Sequence, residues 1–438
     1  MKTDTMIDAN SGCGRSGLSR KNFLKLSATA ALGAVTLPQI AGCGPVNTGA
    51  DCMKSLAPAG GAAAKKPFEE TSIGAIRLRN RIIRSAVTMN GVDSAGRPKD
   101  SLMQHYRDLA QGGAGAIITG MRDGGMMIDN FLFREENFKD FKKVPDIAHK
   151  LGTPIIQQLS HHGRQLSMET ERKGFINRLS DADIEGIIDL FVRGIDASKR
   201  LGFDAAQLHG AHGYLLSDFL SPAKNERTDK WGGALENRFR IVREIITRAE
   251  KKAKGFPLWI KMNAYDNQDG GMRTAEAVKI AKMLEDMGIA AIEVSCGIAA
   301  DGFSTVRVPE IPSEAIIRFS KYDELPSPVK KVLTLTTPLV ARRFEPIENY
   351  NVCAAREISA NVKAPIIVTG GIRKIDDIET ILASGAADYV SMGRPFIIEP
   401  DIVNRLKKEE HAKSECINCG YCIMAANKTD VKCFYGKL

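Results

Sequence analysis

Three pieces of sequence decide the fold class between them: Pro154-Ile-Ile-Gln-Gln-Leu-Ser160, the stretch from Ser180 to Arg200, and Asp204-Ala-Ala-Gln-Leu-His209. The first and third are short, largely apolar runs of strand length. The second is amphipathic and of helical length. Ser180, three residues before Asp183, suits a helix start, where a hydroxyl and a carboxylate satisfy backbone N–H groups. A strand, a crossover helix and a second strand form a parallel βαβ unit, because parallel neighbours cannot be joined by a tight turn.

The unit recurs along the chain. Strand candidates are Ile82–Thr88, Gly115–Thr119, Pro154–Ser160, Asp204–His209, Leu258–Asn263, Ala290–Ser295, Pro365–Thr369 and Ala387–Met392. Further amphipathic stretches cover Leu235–Lys252, Thr274–Met287 and Lys374–Ala383. Eight strand–helix units predict an α/β fold, a (β/α)8 TIM barrel over residues 67–411. The longest irregular piece, Ala299–Tyr350, is an insertion between the sixth and seventh strands. There it falls on the barrel's C-terminal face, where active sites sit, either as a lid that shapes the substrate pocket or as a decorative insertion. No Gly-x-Gly-x-x-Gly follows a strand, so the sequence offers no separate dinucleotide-binding domain.

With 438 residues, 43% of them hydrophobic, the chain can bury a large core. Its formal charge is +9, of which residues 1–43, with five Lys/Arg and two Asp/Glu, contribute +3. The remaining basic residues are scattered, with no long run and no aromatic interleaving. That is a solvated surface, and it excludes a nucleic-acid footprint.

The N-terminus carries Ser19-Arg20-Lys21-Asn22-Phe23-Leu24-Lys25, a mildly apolar run to Leu37, and Ile40-Ala41-Gly42-Cys43. This resembles a twin-arginine export signal ending in a lipobox, with Lys21 where the second arginine belongs. Residues 1–43 are therefore read as a lipoprotein signal and Cys43 as the residue that carries lipid. Residues 44–66, rich in Gly, Ala and Pro, read as a flexible tether. The apolar run is too short to span a bilayer comfortably. The expected location is outside the cytoplasm, periplasmic or anchored at a membrane surface, and cytoplasmic if the signal is not used.

The segment Asp204-Ala-Ala-Gln-Leu-His209-Gly-Ala-His212-Gly-Tyr214, continuing through Ser221-Pro222, Asn225-Glu-Arg227 and Gly232-Gly233 to Glu236-Asn237-Arg238, is long and distinctive. Five more islands accompany it: Asn80-Arg81-Ile-Ile, Gln158-Leu-Ser-His161-His-Gly163-Arg164, Ile292-Glu-Val-Ser295-Cys-Gly297, Thr369-Gly370-Gly371-Ile-Arg373 and Ser391-Met-Gly393-Arg394-Pro395. Together they closely resemble the old yellow enzyme family of FMN-dependent ene-reductases, over roughly residues 68–411. The resemblance implies FMN as cofactor. Gly370 and Gly371, with Gly393 and Arg394, follow consecutive strands at the place where TIM barrels commonly bind phosphate. Gln158 would meet the pyrimidine edge of the flavin, and Lys261 would place a cation near N1/O2, where many relatives carry arginine. Thr88 matches the position whose side chain bonds flavin O4. His209 and His212 match the paired donors to a substrate carbonyl oxygen, and Tyr214 the general acid that protonates the α-carbon. His161 reads as structural.

Nine cysteines are spread unevenly, which is not a disulfide framework. Cys13, Cys43 and Cys52 lie near the N-terminus, and Cys296 and Cys353 are isolated and read as buried core thiols. Cys416, Cys419, Cys422 and Cys433 cluster in a C-terminal extension, residues 412–438. Four thiolates at such spacings suit a 4Fe–4S cluster or Zn2+, or they are free or disulfide-bonded. Longer relatives, similar to dienoyl-CoA reductases and trimethylamine dehydrogenase, carry a 4Fe–4S motif there whose second and last gaps are one residue longer.

The leading functional expectation is an enzyme that reduces the C=C bond of α,β-unsaturated carbonyl compounds through FMN. Its donor would be NAD(P)H, or a membrane or cytochrome partner acting through an Fe–S relay. A second enzymatic reading is an FMN/Fe–S dehydrogenase that oxidises a small substrate. A third, of another class, is a lipid-anchored barrel that binds a phosphorylated ligand without catalysis, against which the His209/His212/Tyr214 constellation argues.

Overall fold

Eight short parallel strands close on themselves. In barrel order they are β1 (Ile82–Arg84), β2 (Ala116–Ile118), β3 (Ile155–Leu159), β4 (Ala205–Gly210), β5 (Leu258–Asn263), β6 (Ala291–Ser295), β7 (Ile366–Thr369) and β8 (Tyr389–Met392), with β8 pairing β1. This computed structural model describes residues 49–57, 65–120, 135–161, 163, 174–298, 304–308, 312–319, 321–340, 348–426, 428–430 and 432–437. The leader, with Cys13, Lys21 and Cys43, lies outside the described residues, as do His162 and Arg164. No described helix is long and apolar enough to cross a membrane.

Side chains alternate along each strand, and that alternation builds two apolar layers. One set, including Leu208, Ile260, Met262, Ile292, Val294, Val368 and Val390, packs under the surrounding helices. The other set, including Ile83, Ala116, Ile156, Ala205, Trp259, Ala291 and Tyr389, fills the lumen. A hairpin of Thr71–Ile73 and Ile76–Leu78 packs onto this lumen cluster through Ile73, Ile76 and Leu78, at the N-terminal ends of the strands.

The helices form where the sequence pattern places them: Asp181–Leu201, Leu235–Lys252, Thr274–Asp286 and Ile375–Ala383. Ser180 and Asp183 form the expected reciprocal cap, with Asp183 N donating to Ser180 Oγ at 3.1 Å and Ser180 N to Asp183 Oδ2 at 2.8 Å.

Three readings need correction. First, Gly49–Lys54, inside the supposed flexible tether, is a helix. Its Cys52 is buried and bonded to Cys353 across 301 residues, so Cys353 is a disulfide partner and not a core thiol. Arg356 Nη1 adds a hydrogen bond to Ser55 Oγ at 3.0 Å. Second, Ala299–Tyr350 is not irregular throughout: it holds helices Ser313–Arg318 and Ser327–Val340 with a 3-10 turn at Lys321–Glu324. Third, β1 ends at Arg84, which leaves Thr88 half-buried in the loop beyond the strand.

The staple makes a prediction. Cys353→Ser is expected to lower stability by about 2–5 kcal/mol. Thermal unfolding should show a reductant-dependent Tm in the parent and none in the variant.

Candidate active site

Toward their C-terminal ends the strands turn their lumen positions from apolar to polar. Ala205 gives way to Gln207 and His209, Trp259 to Lys261 and Asn263, Ala291 to Glu293 and Ser295, and Tyr389 to Ser391, all of them buried. The result is a polar layer seated on a dry floor. At its centre Glu293 accepts from Ser85 Oγ and Ser391 Oγ on Oε1, each at 2.7 Å, and from Gln207 Nε2 on Oε2 at 2.8 Å. Lys261 Nζ lies 3.3 Å from Oε2 and donates to Ser85 Oγ at 2.9 Å. Gln158 joins the layer by donating from Nε2 to Gln207 Oε1 at 2.7 Å. The sequence assigns no role to Glu293, Ser85, Gln207 or Ser391. The available signal was a charged or polar residue at alternate positions of strands otherwise fully buried.

Above this layer the three proposed catalytic side chains come together. The His209 ring lies 5.0 Å from that of His212, edge to face, and 4.6 Å from that of Tyr214. The chain turns sharply here because His212 adopts a left-handed backbone, φ 66°, held by its N–H donating to Asn263 Oδ1 at 3.1 Å. His212 Nε2 shares a 2.7 Å hydrogen bond with Ser295 Oγ. Burial, with a smaller push from the Lys261 charge, takes the His212 imidazole down to about 3. It is therefore neutral at physiological pH, a hydrogen-bond partner and not an acid. His161 Nδ1 accepts from Gly163 N at 3.1 Å and its carbonyl from Leu215 N at 3.0 Å.

The candidate phosphate cradle lies after β7 and β8. Gly370 has φ 129° and Gly371 φ 74°. Arg394 donates from Nη2 to Val306 O at 2.6 Å, while its buried Nη1 has no hydrogen-bond partner among the described residues. Buried Arg373 sits close enough that, after burial itself, the Arg394 charge helps to lower its pKa. Arg373, which also lies 3.7 Å from Glu348 Oε1, and half-buried Arg394, whose Nη1 is unpartnered among the described residues, put positive charge beside a glycine turn. That arrangement fits a bound anion and so the phosphate of a flavin nucleotide. The helix after Arg394, Pro395–Ile398, is a single turn, so the guanidinium and not a helix dipole faces this site. The insertion contributes Arg307, whose guanidinium lies 4.7 Å over the Tyr350 ring and donates to Tyr265 OH at 3.1 Å. No motif marks Arg307 or Tyr350, since the motifs do not reach into the insertion.

The four terminal cysteines line one small pocket, with an enclosed space of about 20 Å3, together with Arg394, Ile397, Ile398 and Phe434. The extension is anchored beside the cradle by Ser414 N donating to Arg373 O at 2.9 Å and Asn418 Nδ2 to Arg307 O at 2.7 Å. Among the described residues no group of three or more His, Cys, Asp or Glu is placed to hold a metal ion, so the metal expectation is not met as a closed site. The thiols do share an environment. Burial pushes Cys422 up to about 12, Arg394 opposes, and Cys416, Cys419 and Cys433 add to the rise.

The family model of the NADH:flavin oxidoreductase / NADH oxidase family matches residues 66–307 and 313–413. The chain belongs to this family. It is thus an oxidoreductase of the FMN type, of the old yellow enzyme kind, and the non-catalytic reading falls away. It is 30% identical over 375 residues to an NADH oxidase of Thermoanaerobacter brockii, covering 80% of this chain and 52% of that protein. It is 28% identical over 378 residues to a 4,4'-dithiodibutanoate disulfide reductase of Rhodococcus erythropolis, covering 81% and 92%. The chain therefore spans about half the length of the first relative and most of the second. Among solved structures, a 2-naphthoyl-CoA reductase complex shares the fold with a TM-score of 0.65 and 22% identity, over 84% of this chain and 56% of that one.

Proposed function

We propose that this family member reduces the C=C bond of α,β-unsaturated carbonyl compounds with NAD(P)H as electron source. The observation that carries the reading is the cluster of His209, His212 and Tyr214 over the polar layer of a closed barrel. FMN, when bound, supplies the hydride. Gly370, Gly371, Gly393 and Arg394 would hold its phosphate, Gln158, Lys261 and Thr88 its ring. With Nε2 committed to Gln207, Gln158 offers its Oε1 as an acceptor for an imide N–H. The neutral imidazole of His212 and the ring of His209 hold the substrate's carbonyl oxygen and stabilise the negative charge that develops there. Tyr214 O–H delivers the proton to the α-carbon.

The test is anaerobic turnover of 2-cyclohexenone by the FMN-loaded protein. NADPH consumed one for one with cyclohexanone formed is the expected result. A protein that takes up no FMN, or takes it up and leaves the alkene intact, would overturn the proposal.

The cysteine cavity favours a second reading, an FMN/Fe–S enzyme that exchanges electrons with a membrane or cytochrome partner and oxidises a small substrate. All four cysteines line the same pocket, and four thiolates at these spacings suit a 4Fe–4S cluster. Metal analysis of anaerobically purified protein is expected to find about four irons per chain and broad visible absorbance. One zinc, or no metal, would remove this reading.

We also propose export, with a lipid on Cys43. The Cys52–Cys353 bond supports an oxidising compartment. The four thiols of the extension, in contrast, suit loading in the cytoplasm before a folded-protein export route. Globomycin-sensitive processing at Cys43 would be the signature, and its absence with the chain retained in the cytoplasm would refute the export proposal.

A further inference from the structure

Lys261 and Glu293 form a buried ion pair in the layer just described, with side chains 3% and 0% exposed. Two features make the pair unusual for a barrel interior. The Glu293 carboxylate receives two donors on each oxygen and faces no acceptor, so its hydrogen-bonding capacity is spent inside the barrel. Lys261 has three N–H donors and spends two, on Ser85 Oγ and Glu293, which leaves one.

We propose that Glu293 is a positioning residue for flavin chemistry: it holds Lys261 protonated and aims its remaining N–H, so that the site offers a directed cation with no net charge. The inference rests on the reading of Lys261 as the cation at the flavin ring. A lone ammonium in this buried layer would carry an uncompensated desolvation cost. Burial does lower the Lys261 pKa, Glu293 opposes that through its charge and hydrogen bond, and Arg84 adds to the lowering. The other titratable groups facing the amine are the imidazoles of His209, level with Lys261 across the β4–β5 ladder, and His212, which feels its charge.

The test is the midpoint potential of bound FMN as a function of pH, in the holoenzyme and in Glu293→Gln. At low pH the variant keeps its ammonium without the carboxylate, so the site gains one positive charge and the potential lies above that of the parent. As pH rises the amine, already lowered by burial and now without its carboxylate, loses its proton below the usual lysine range, and the two curves converge. In Lys261→Met/Glu293→Gln, which carries neither charge of the pair, the pH-dependent rise over the parent is absent. A constant offset between parent and Glu293→Gln, or none, would overturn the proposal, since a packing role is indifferent to pH. If Glu293→Gln does not fold, recovery of folded, FMN-binding protein in the double variant supports the charge balance. Failure of both assigns Glu293 to packing and ends the proposal. A parent protein that takes up no FMN would instead count against the cofactor reading, which a fluorescence titration with FMN decides first.

Discussion

Alanine at His212 is expected to lower kcat for alkene reduction by about 10^2–10^3-fold, the usual cost of removing one donor from an oxyanion site. The substitution takes away more than a ring. His212 Nε2 is tied to Ser295 Oγ and its backbone to Asn263, so the imidazole is held in place before substrate arrives. His209→Ala should cost a similar factor, and the double variant less than the product of the two, because rings 5.0 Å apart serve one oxygen. Because His212 stays neutral down to about 3, kcat should show no step near pH 6.5 that disappears in His212→Ala. Tyr214→Phe separates the two halves of the reaction. Consumption of alkene should slow by about 10^2-fold or more, while the rate at which NADPH bleaches the visible absorbance stays within about twofold. Equal slowing of both would remove Tyr214 from the role of proton donor.

Alanine at Gly370 is expected to abolish FMN retention on a desalting column and to lower Tm. Here a methyl group meets two obstacles at once. The backbone φ of 129° is a conformation that side chains rarely adopt, and an added Cβ would lie 2.6 Å from Tyr350 Cε2 and 2.7 Å from Asn351 Nδ2. Asn351 cannot simply swing aside, because its Nδ2 donates to Thr369 O at 2.7 Å and its Oδ1 accepts from Tyr265 OH at 3.0 Å. Relief therefore has to come from the turn itself, which is the cradle. A Gly370→Ala protein that binds FMN as tightly as the parent would show that the phosphate sits elsewhere. The milder Arg394→Gln should weaken FMN binding without the loss of Tm, because it removes charge and leaves the turn intact.

Much of this was legible in the chain. Strand positions were readable because each strand is buried on both faces and reads as a short apolar run, and helices because their exposed faces keep a helical period. Ser180 and Asp183 specify their cap within four residues, so no distant partner is needed. The motif around His209, His212 and Tyr214 was readable for the same reason, since a single strand end and the turn after it position all three.

What stayed hidden depended on residues far apart in sequence. Ser85 and Glu293 are 208 residues apart, and Ser391 lies 98 residues beyond Glu293, yet barrel closure brings all three to one carboxylate. Cys52 and Cys353 are read apart as a tether cysteine and a core thiol, and only docking of the Gly49–Lys54 helix pairs them. Arg307 and Tyr350 reach the cradle from an insertion that carries no motif. The sequence by itself determined where most strands run and that His209, Lys261 and Glu293 lie on them, because that information is local and periodic, although the end of β1 fell short of Thr88. Which charge meets which counter-charge, and which glycine a tyrosine packs against, was decided by the tertiary structure, because closing the barrel sets β8 against β1 and so creates neighbours that no spacing along the chain encodes.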